Sequence, residues 1–191
     1  MSKIIALDIG GVCIQLRQSA FLAKFGLTKL PVEVQVSSAA FESGKIGAEE
    51  WFAQCRQQVS ALRDYPASVF WQAFRSIIGS DQPGMAELTR HWVAAGYQLI
   101  FFSNTSQVHA EEVWRKISFG ERISGAVYSY EAGCMKPSPE IYQYFEKKYG
   151  RPDLYLDDFP ANIEQGLKCG WPARLFTGTG ELLREYAHKE A

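Results

Sequence analysis

The chain has 191 residues, 47% of them hydrophobic and 21% charged, with a net charge of −1. That size and balance suit one substantial globular domain, or a core carrying a smaller insertion. They argue against a nucleic-acid binder or a protein held on an acidic membrane surface, and no run of about 18 apolar residues offers a membrane span.

A small neutral or anionic ligand is the expected partner, with the protein a monomer or a homodimer. Cys13, Cys55, Cys134 and Cys169 are widely spread and make neither a Cys-x-x-Cys pair nor a metal-ligand cluster. They read as reduced structural thiols. The chain enters a strand with no basic or long apolar leader before it, and the expected location is the cytoplasm.

In chain order, the first apolar run is Ile4-Ile5-Ala6-Leu7, which ends on Asp8 and continues Ile9-Gly10-Gly11-Val12. A carboxylate at the carboxyl end of a buried parallel strand lies where open α/β sheets bind ligands, and paired glycines let backbone approach closely. The next strand-like run begins only at residue 98, too far for one crossover. Between them the pattern is helical and aromatic, with Phe21, Phe25, Phe41, Trp51, Phe52, Phe70, Trp71 and Phe74. Breaks at 26–31, 44–47 and 64–66 divide it into about four helices, hinged at both ends, whose aromatics fill a core of their own.

From Pro83 onward strands and helices alternate. Strands are predicted at 98–102, 126–129, 154–156 and 173–176, and helices at 85–95, 106–117, 139–149 and 162–169. The expected fold is α/β: a Rossmann-like parallel sheet flanked by helices. Its core comprises residues 1–14 and 84–191, and the helical insertion spans 15–83.

Three further strand ends carry polar groups. Ser103-Asn104-Thr105 follows the second strand, where a hydroxyl and backbone N–H groups at a helix start suit an oxyanion and equally suit an N-cap. Lys136 lies between stiffening prolines, in Lys136-Pro137-Ser138-Pro139, and so is presented from a fixed point. Asp157-Asp158 closes the fourth strand. Adjacent acids repel one another, and a hard divalent cation relieves that repulsion; Mg²⁺, which takes one or two carboxylates alongside a phosphate, fits the pair. Asn162 follows as a candidate helix N-cap.

Taken together and in this order, the four loops resemble those of the haloacid dehalogenase (HAD) superfamily of phosphohydrolases, and the insertion resembles that family's helical cap. The resemblance implies that Asp8 attacks phosphorus to form an aspartyl-phosphate. It implies that Mg²⁺ binds Asp8, the Gly10 carbonyl, Asp157 and Asp158, and that Ser103, Asn104 and Lys136 hold the phosphoryl oxygens of a small phosphorylated substrate. In the cap, the segment 41–47 resembles the loop facing the active site, which nominates Glu42 and Lys45 for substrate contact.

One position departs from the family pattern. Most of its phosphatases carry Asp-x-Asp in the first motif, and the second Asp acts as general acid; here that residue is Gly10. Loss of a general acid costs about 10²–10⁴ in rate. The first motif and its partners resemble the subgroup containing the α-D-glucose-1-phosphate phosphatase, whose hemiacetal leaving group needs less protonation. His109 is an alternative proton donor. A metal-independent 2-haloacid dehalogenase, or a phospho-ligand-binding regulatory protein, are the competing expectations.

Overall fold

The computed structural model describes residues 3–187; residues 1–2 and 188–191, counted with the core above, lie outside the described residues. Five parallel strands form one sheet: β1 (Lys3–Leu7), β4 (Tyr97–Ser103), β5 (Ile123–Tyr128), β6 (Leu154–Asp157) and β7 (Ala173–Leu175), in the order β5-β4-β1-β6-β7. β1 is central, with Leu7 opposite Phe101 on one side and Leu156 on the other. The chain builds outward through β4 and β5, then crosses β1 to β6 and β7. The crevice beside β1 is therefore the sheet's switch point, where ligands of such folds bind.

Side-chain alternation along the strands divides the core into two layers. Ile5, Leu7, Leu99 and Phe101 pack with Met85, Leu88 and Trp92 of α5 (Met85–Ala94) and with Ala110 and Val113 of α6 (Gln107–Lys116). Ile4, Ala6, Ile100 and Phe102 pack on the opposite side with Ile141, Tyr142 and Phe145 of α8 (Pro139–Tyr149) and Ile163 of α9 (Pro160–Lys168). Full burial of one such side chain is worth about 1.5–3 kcal/mol.

Four helices occupy the long interval: α1 (Gln18–Lys24), α2 (Val32–Glu42), α3 (Ala48–Gln58) and α4 (Ala67–Arg75). Phe21, Val34, Phe41, Trp51, Phe70 and Phe74 make their common core. The two chain crossings pair as an antiparallel ribbon of β2 (Ile14–Leu16) and β3 (Ile78–Asp81). Neither strand is among the sequence expectations, because three- and four-residue segments are too short to show a period.

The largest boundary shifts are at β5 and α9. β5 begins at Ile123 rather than 126, since Ser124-Gly125 interrupts the apolar run where the ladder with β4 changes register. A short helix α7 (Ser129–Ala132) starts directly at its end. α9 begins at Pro160, with Phe159 as N-cap, so Asn162 is not the cap the sequence suggests. Last comes α10 (Gly180–Ala187). The four cysteines are free, and among the described residues no helix is long and apolar enough to cross a membrane.

Candidate active site

The ends of β4, β1 and β6 bring Ser103, Asp8 and Asp157 side by side. The Asp8 N–H continues the ladder by donating to the Leu156 carbonyl at 2.9 Å, which fixes where its carboxylate emerges. Lys136 reaches into this row from the loop after β5. Its Nζ donates to Asp8 Oδ1 at 2.9 Å, Asp157 Oδ2 at 2.5 Å and the Phe102 carbonyl at 2.7 Å, so all three ammonium protons are placed. Its side chain is 1% exposed. Burial opposes the charge on Lys136, but Asp8 and Asp157 outweigh it and hold its pKa above the ordinary value. Burial also lifts Asp8 to about 6, against the pull of Lys136 and with a further push from Asp157.

The loop carrying Lys136 is tied to the end of β4 by Asn104. Its side-chain amide donates to the Lys136 carbonyl and accepts from the Lys136 N–H, both at 2.8 Å. The Asn104 side chain is thus spent on positioning, and any oxyanion contact falls to its backbone. The neighbouring Thr105 N–H is taken by Ser129 Oγ at 2.9 Å.

Asp157 is fully buried and saturated. Oδ1 accepts from Phe159 N at 2.8 Å and Asn162 Nδ2 at 3.0 Å, while Oδ2 accepts from Lys136 and, at 2.6 Å, from the Tyr155 hydroxyl. Asp158 next to it is exposed, yet partial desolvation of its carboxyl, followed by the charge of Asp157, raises its pKa. Gly11 makes room for it: at φ +80° this residue favours glycine, and a Cβ there would lie 2.0 Å from Asp158 Oδ2. Oxygens of Asp8, Asp157 and Asp158 all lie within 4.8 Å of one another. Three carboxylates against one ammonium leave excess negative charge and oxygen donors, the set that suits a hard divalent cation. Asp8 and Asp158 have the open lone pairs; Asp157 reaches such an ion only through a water or by giving up a present partner.

Two cavities adjoin here. The smaller, about 260 Å³, holds Asp8, Lys136, Asp157 and Asp158. It shares Gly10, Leu16, Ser103 and Asn104 with a larger one of about 600 Å³ that extends into the helical bundle. Leu16 fills the space above Gly10: a Cβ on that glycine would meet Leu16 Cδ1 at 2.9 Å.

The three remaining candidates part company. Glu42 lines the larger cavity with Gly10 and Ser103, and burial lifts its carboxyl to about 7. Its backbone carbonyl is held at 2.6 Å by Ser129 Oγ, the atom that also receives the Thr105 N–H, so the end of α2 is pinned to the β4 loop. His109 lines the same cavity, but its Nε2 lies 2.9 Å from the Phe74 carbonyl and its ring stacks on Phe74 at 3.9 Å. A carbonyl only accepts, so the ring's proton sits on Nε2, and burial lowers its pKa to about 4. Lys45 is exposed and lines neither cavity.

Sequence reasoning overlooked Tyr155, Ser129 and Leu16. Tyr155 had a signal: two residues before Asp157 on one strand, it points to the same face. Ser129 meets Glu42 across 87 residues of chain, and nothing local announces that.

A central parallel sheet with aspartates at two adjoining strand ends, a buried lysine between them and a helical insertion after the first strand define a Rossmann-like α/β protein with an acidic site at the switch point of its sheet. The family model for haloacid dehalogenase-like hydrolases matches residues 2–169, and the chain belongs to that family. A search of curated protein sequences found no significant match. Among solved structures, a HAD-like family hydrolase from Porphyromonas gingivalis superposes with a TM-score of 0.81 at 18% identity, covering 100% of this chain and 98% of that one. A HAD family enzyme from Bacteroides thetaiotaomicron, in its magnesium complex, gives 0.80 at 20% identity, covering 96% and 98%. The L-2-haloacid dehalogenase of Xanthobacter autotrophicus gives 0.65 at 12%, covering 91% and 76%. These likenesses establish the shared fold.

Proposed function

We propose that this hydrolase is a Mg²⁺-dependent phosphomonoesterase that acts on a small phosphorylated metabolite through an aspartyl-phosphate. The observation that carries the reading is the Lys136 ammonium, held 2.9 Å from Asp8 in a row of three carboxylates. Because Lys136 holds Asp8 Oδ1, the other carboxylate oxygen, Oδ2, is the nucleophile. It attacks phosphorus in line, the bond to the leaving oxygen breaks, and water then cleaves the acyl phosphate, releasing inorganic phosphate and restoring Asp8. Ser103 and the Asn104 N–H hold the phosphoryl oxygens, and Lys136, its protons committed to Asp8, Asp157 and Phe102, adds its positive charge beside them. Asp8, the Gly10 carbonyl and Asp158, with Asp157 behind them, would hold a Mg²⁺ ion, which would supply neutralising charge to the phosphoryl group.

The proton that Gly10 cannot deliver is assigned to Glu42, whose carboxyl, raised by burial to about 7, is about half protonated at neutral pH and lines the same cavity as Gly10. Neither His109, its proton committed to Phe74, nor the outlying Lys45 suits that task. In this reading segment 15–83 is a cap that closes over Asp8 and excludes water. The Bacteroides enzyme has been crystallised with magnesium and inorganic phosphate, which supports choosing that pair of ligands for the first test.

That test is phosphate release from 4-nitrophenyl phosphate. Release that needs Mg²⁺ and vanishes in Asp8→Asn supports the phosphatase. Chloride release from 2-chloropropionate in the presence of a chelator would replace it with a dehalogenase. Stabilisation by phosphate esters with no turnover would leave a binding protein.

A further inference from the structure

The larger cavity has an uneven chemistry along its length. At one end it meets Gly10, Ser103, Asn104 and Glu42, the edge of the catalytic pocket; at the other, Gln18, Thr28 and Gln35 stand exposed around a mouth between α1 and α2. Between those ends the wall is carbon: Leu16, Phe21, Val34, Phe41, Phe74 and Ile77. Two of the polar groups inside this stretch are already engaged, and Trp51 Nε1 adds a single buried donor without a partner among the described residues, too little to satisfy a polyol. Ser38 donates its hydroxyl to the Val34 carbonyl at 2.7 Å, and His109 is tied to Phe74. A hexose lying there would bury several hydroxyls against carbon, each losing its water partners without replacement. A hydrocarbon group would lose only unfavourable hydration.

We infer that the substrate is a phosphomonoester whose organic part is predominantly apolar, an alkyl, branched or aromatic alcohol lodged between Leu16 and the bundle wall, rather than a sugar phosphate. This rests on the phosphatase reading for the orientation of the ester: phosphate beside Asp8, carbon chain under α1 and α2. Leu16 then has a purpose that Gly10 alone does not explain, since it covers the junction of the two cavities with a hydrocarbon surface. The polar mouth accommodates the far end of a long chain or a distal hydroxyl.

The experiment is a leaving-group-matched series: methyl through octyl phosphate, glycerol 3-phosphate and glucose 6-phosphate, all primary-alcohol esters, assayed with Mg²⁺. Each methylene moved from water into a carbon-lined space is worth up to about fourfold. The expected result is a rise in kcat/KM of about two- to fourfold per methylene until the chamber is full, with hexyl phosphate ahead of glucose 6-phosphate by at least about tenfold. Ser38→Trp, which narrows the chamber from α2, should pull the hexyl-to-ethyl ratio toward one. Phosphate release with a flat series, or with glucose 6-phosphate preferred, overturns the apolar chamber and leaves the phosphatase intact. If no ester is hydrolysed, the phosphatase reading falls, and calorimetry with hexylphosphonate against glycerol 3-phosphate decides the chamber alone. Tighter binding of the phosphonate by about tenfold upholds it, and equal or weaker binding overturns it.

Discussion

Lys136 Nζ and Asp157 Oδ2 lie 2.5 Å apart with both side chains 1% exposed, so the lysine is anchored from beneath while its other protons reach Asp8 and a backbone carbonyl. Removing one member of such a pair leaves a buried charge uncompensated, at a cost of about 3–5 kcal/mol. Lys136→Met is therefore expected to abolish phosphate release and to lower Tm by on the order of 10 °C. Because the variant concentrates three carboxylates with no cation, added Mg²⁺ should raise its Tm more than that of the wild type. An unchanged Tm in differential scanning calorimetry would show that the ammonium does not neutralise the site.

Gly10 and Leu16 define a second test. A Cβ at position 10 meets only the end of the Leu16 side chain, which is 43% exposed and free to turn away. Gly10→Asp should therefore fold, and a carboxyl there restores the general acid of the family pattern. With Glu42 present to donate the proton, little gain is expected on alkyl phosphates; in a Glu42→Gln background the same change should recover about tenfold or more in kcat for alkyl phosphates and little for 4-nitrophenyl phosphate, whose phenolate leaves unaided. A tenfold gain on the alkyl esters with Glu42 intact would mean that Glu42 does not donate the proton.

The sheet and its four strand-end loops were legible because each rests on local pattern: an apolar run, then a polar group, then a helix start. Asp8, Ser103, Lys136 and Asp157 converge because parallel strands align their carboxyl ends. What stayed hidden depends on contacts between distant segments. The ribbon of β2 and β3 joins residues more than sixty apart, and Leu16, which lies over Gly10, is held in it. The division of labour between Asp157, saturated by Tyr155 and Asn162, and the open Asp158 is likewise a matter of side-chain geometry that two adjacent letters cannot express. His109 looked like a proton donor from its helix position, and its partner Phe74 lies in the inserted bundle.

Glu42 carries a pH signature. Its carboxyl, lifted by burial to about 7, donates a proton only while protonated, so kcat for poor leaving groups should fall as pH rises through about 7. Glu42→Gln should remove that limb and lower kcat on alkyl phosphates by about 10²-fold, with a much smaller effect on 4-nitrophenyl phosphate. Equal losses on both substrates would assign Glu42 to binding instead.

His109 predicts a stability effect of definite sign. Burial depresses the folded-state pKa to about 4 from 6.5, so between those values the unfolded chain binds the extra proton and the folded one does not. Stability from this group is complete above about pH 6.5 and is lost as pH falls through 4. A difference of about 2.5 pKa units corresponds to about 3 kcal/mol at full effect. Burial of Asp8 and Glu42 acts in the opposite direction over an overlapping range, raising their pKa values to about 6 and about 7, so the wild-type curve alone mixes the contributions. The His109→Gln variant isolates one of them. Its amide can still donate to the Phe74 carbonyl but cannot titrate, and urea unfolding between pH 6.5 and 4 should show it losing about 3 kcal/mol less than the wild type. Parallel curves for the two proteins would mean that the ring is protonated without leaving its place against Phe74.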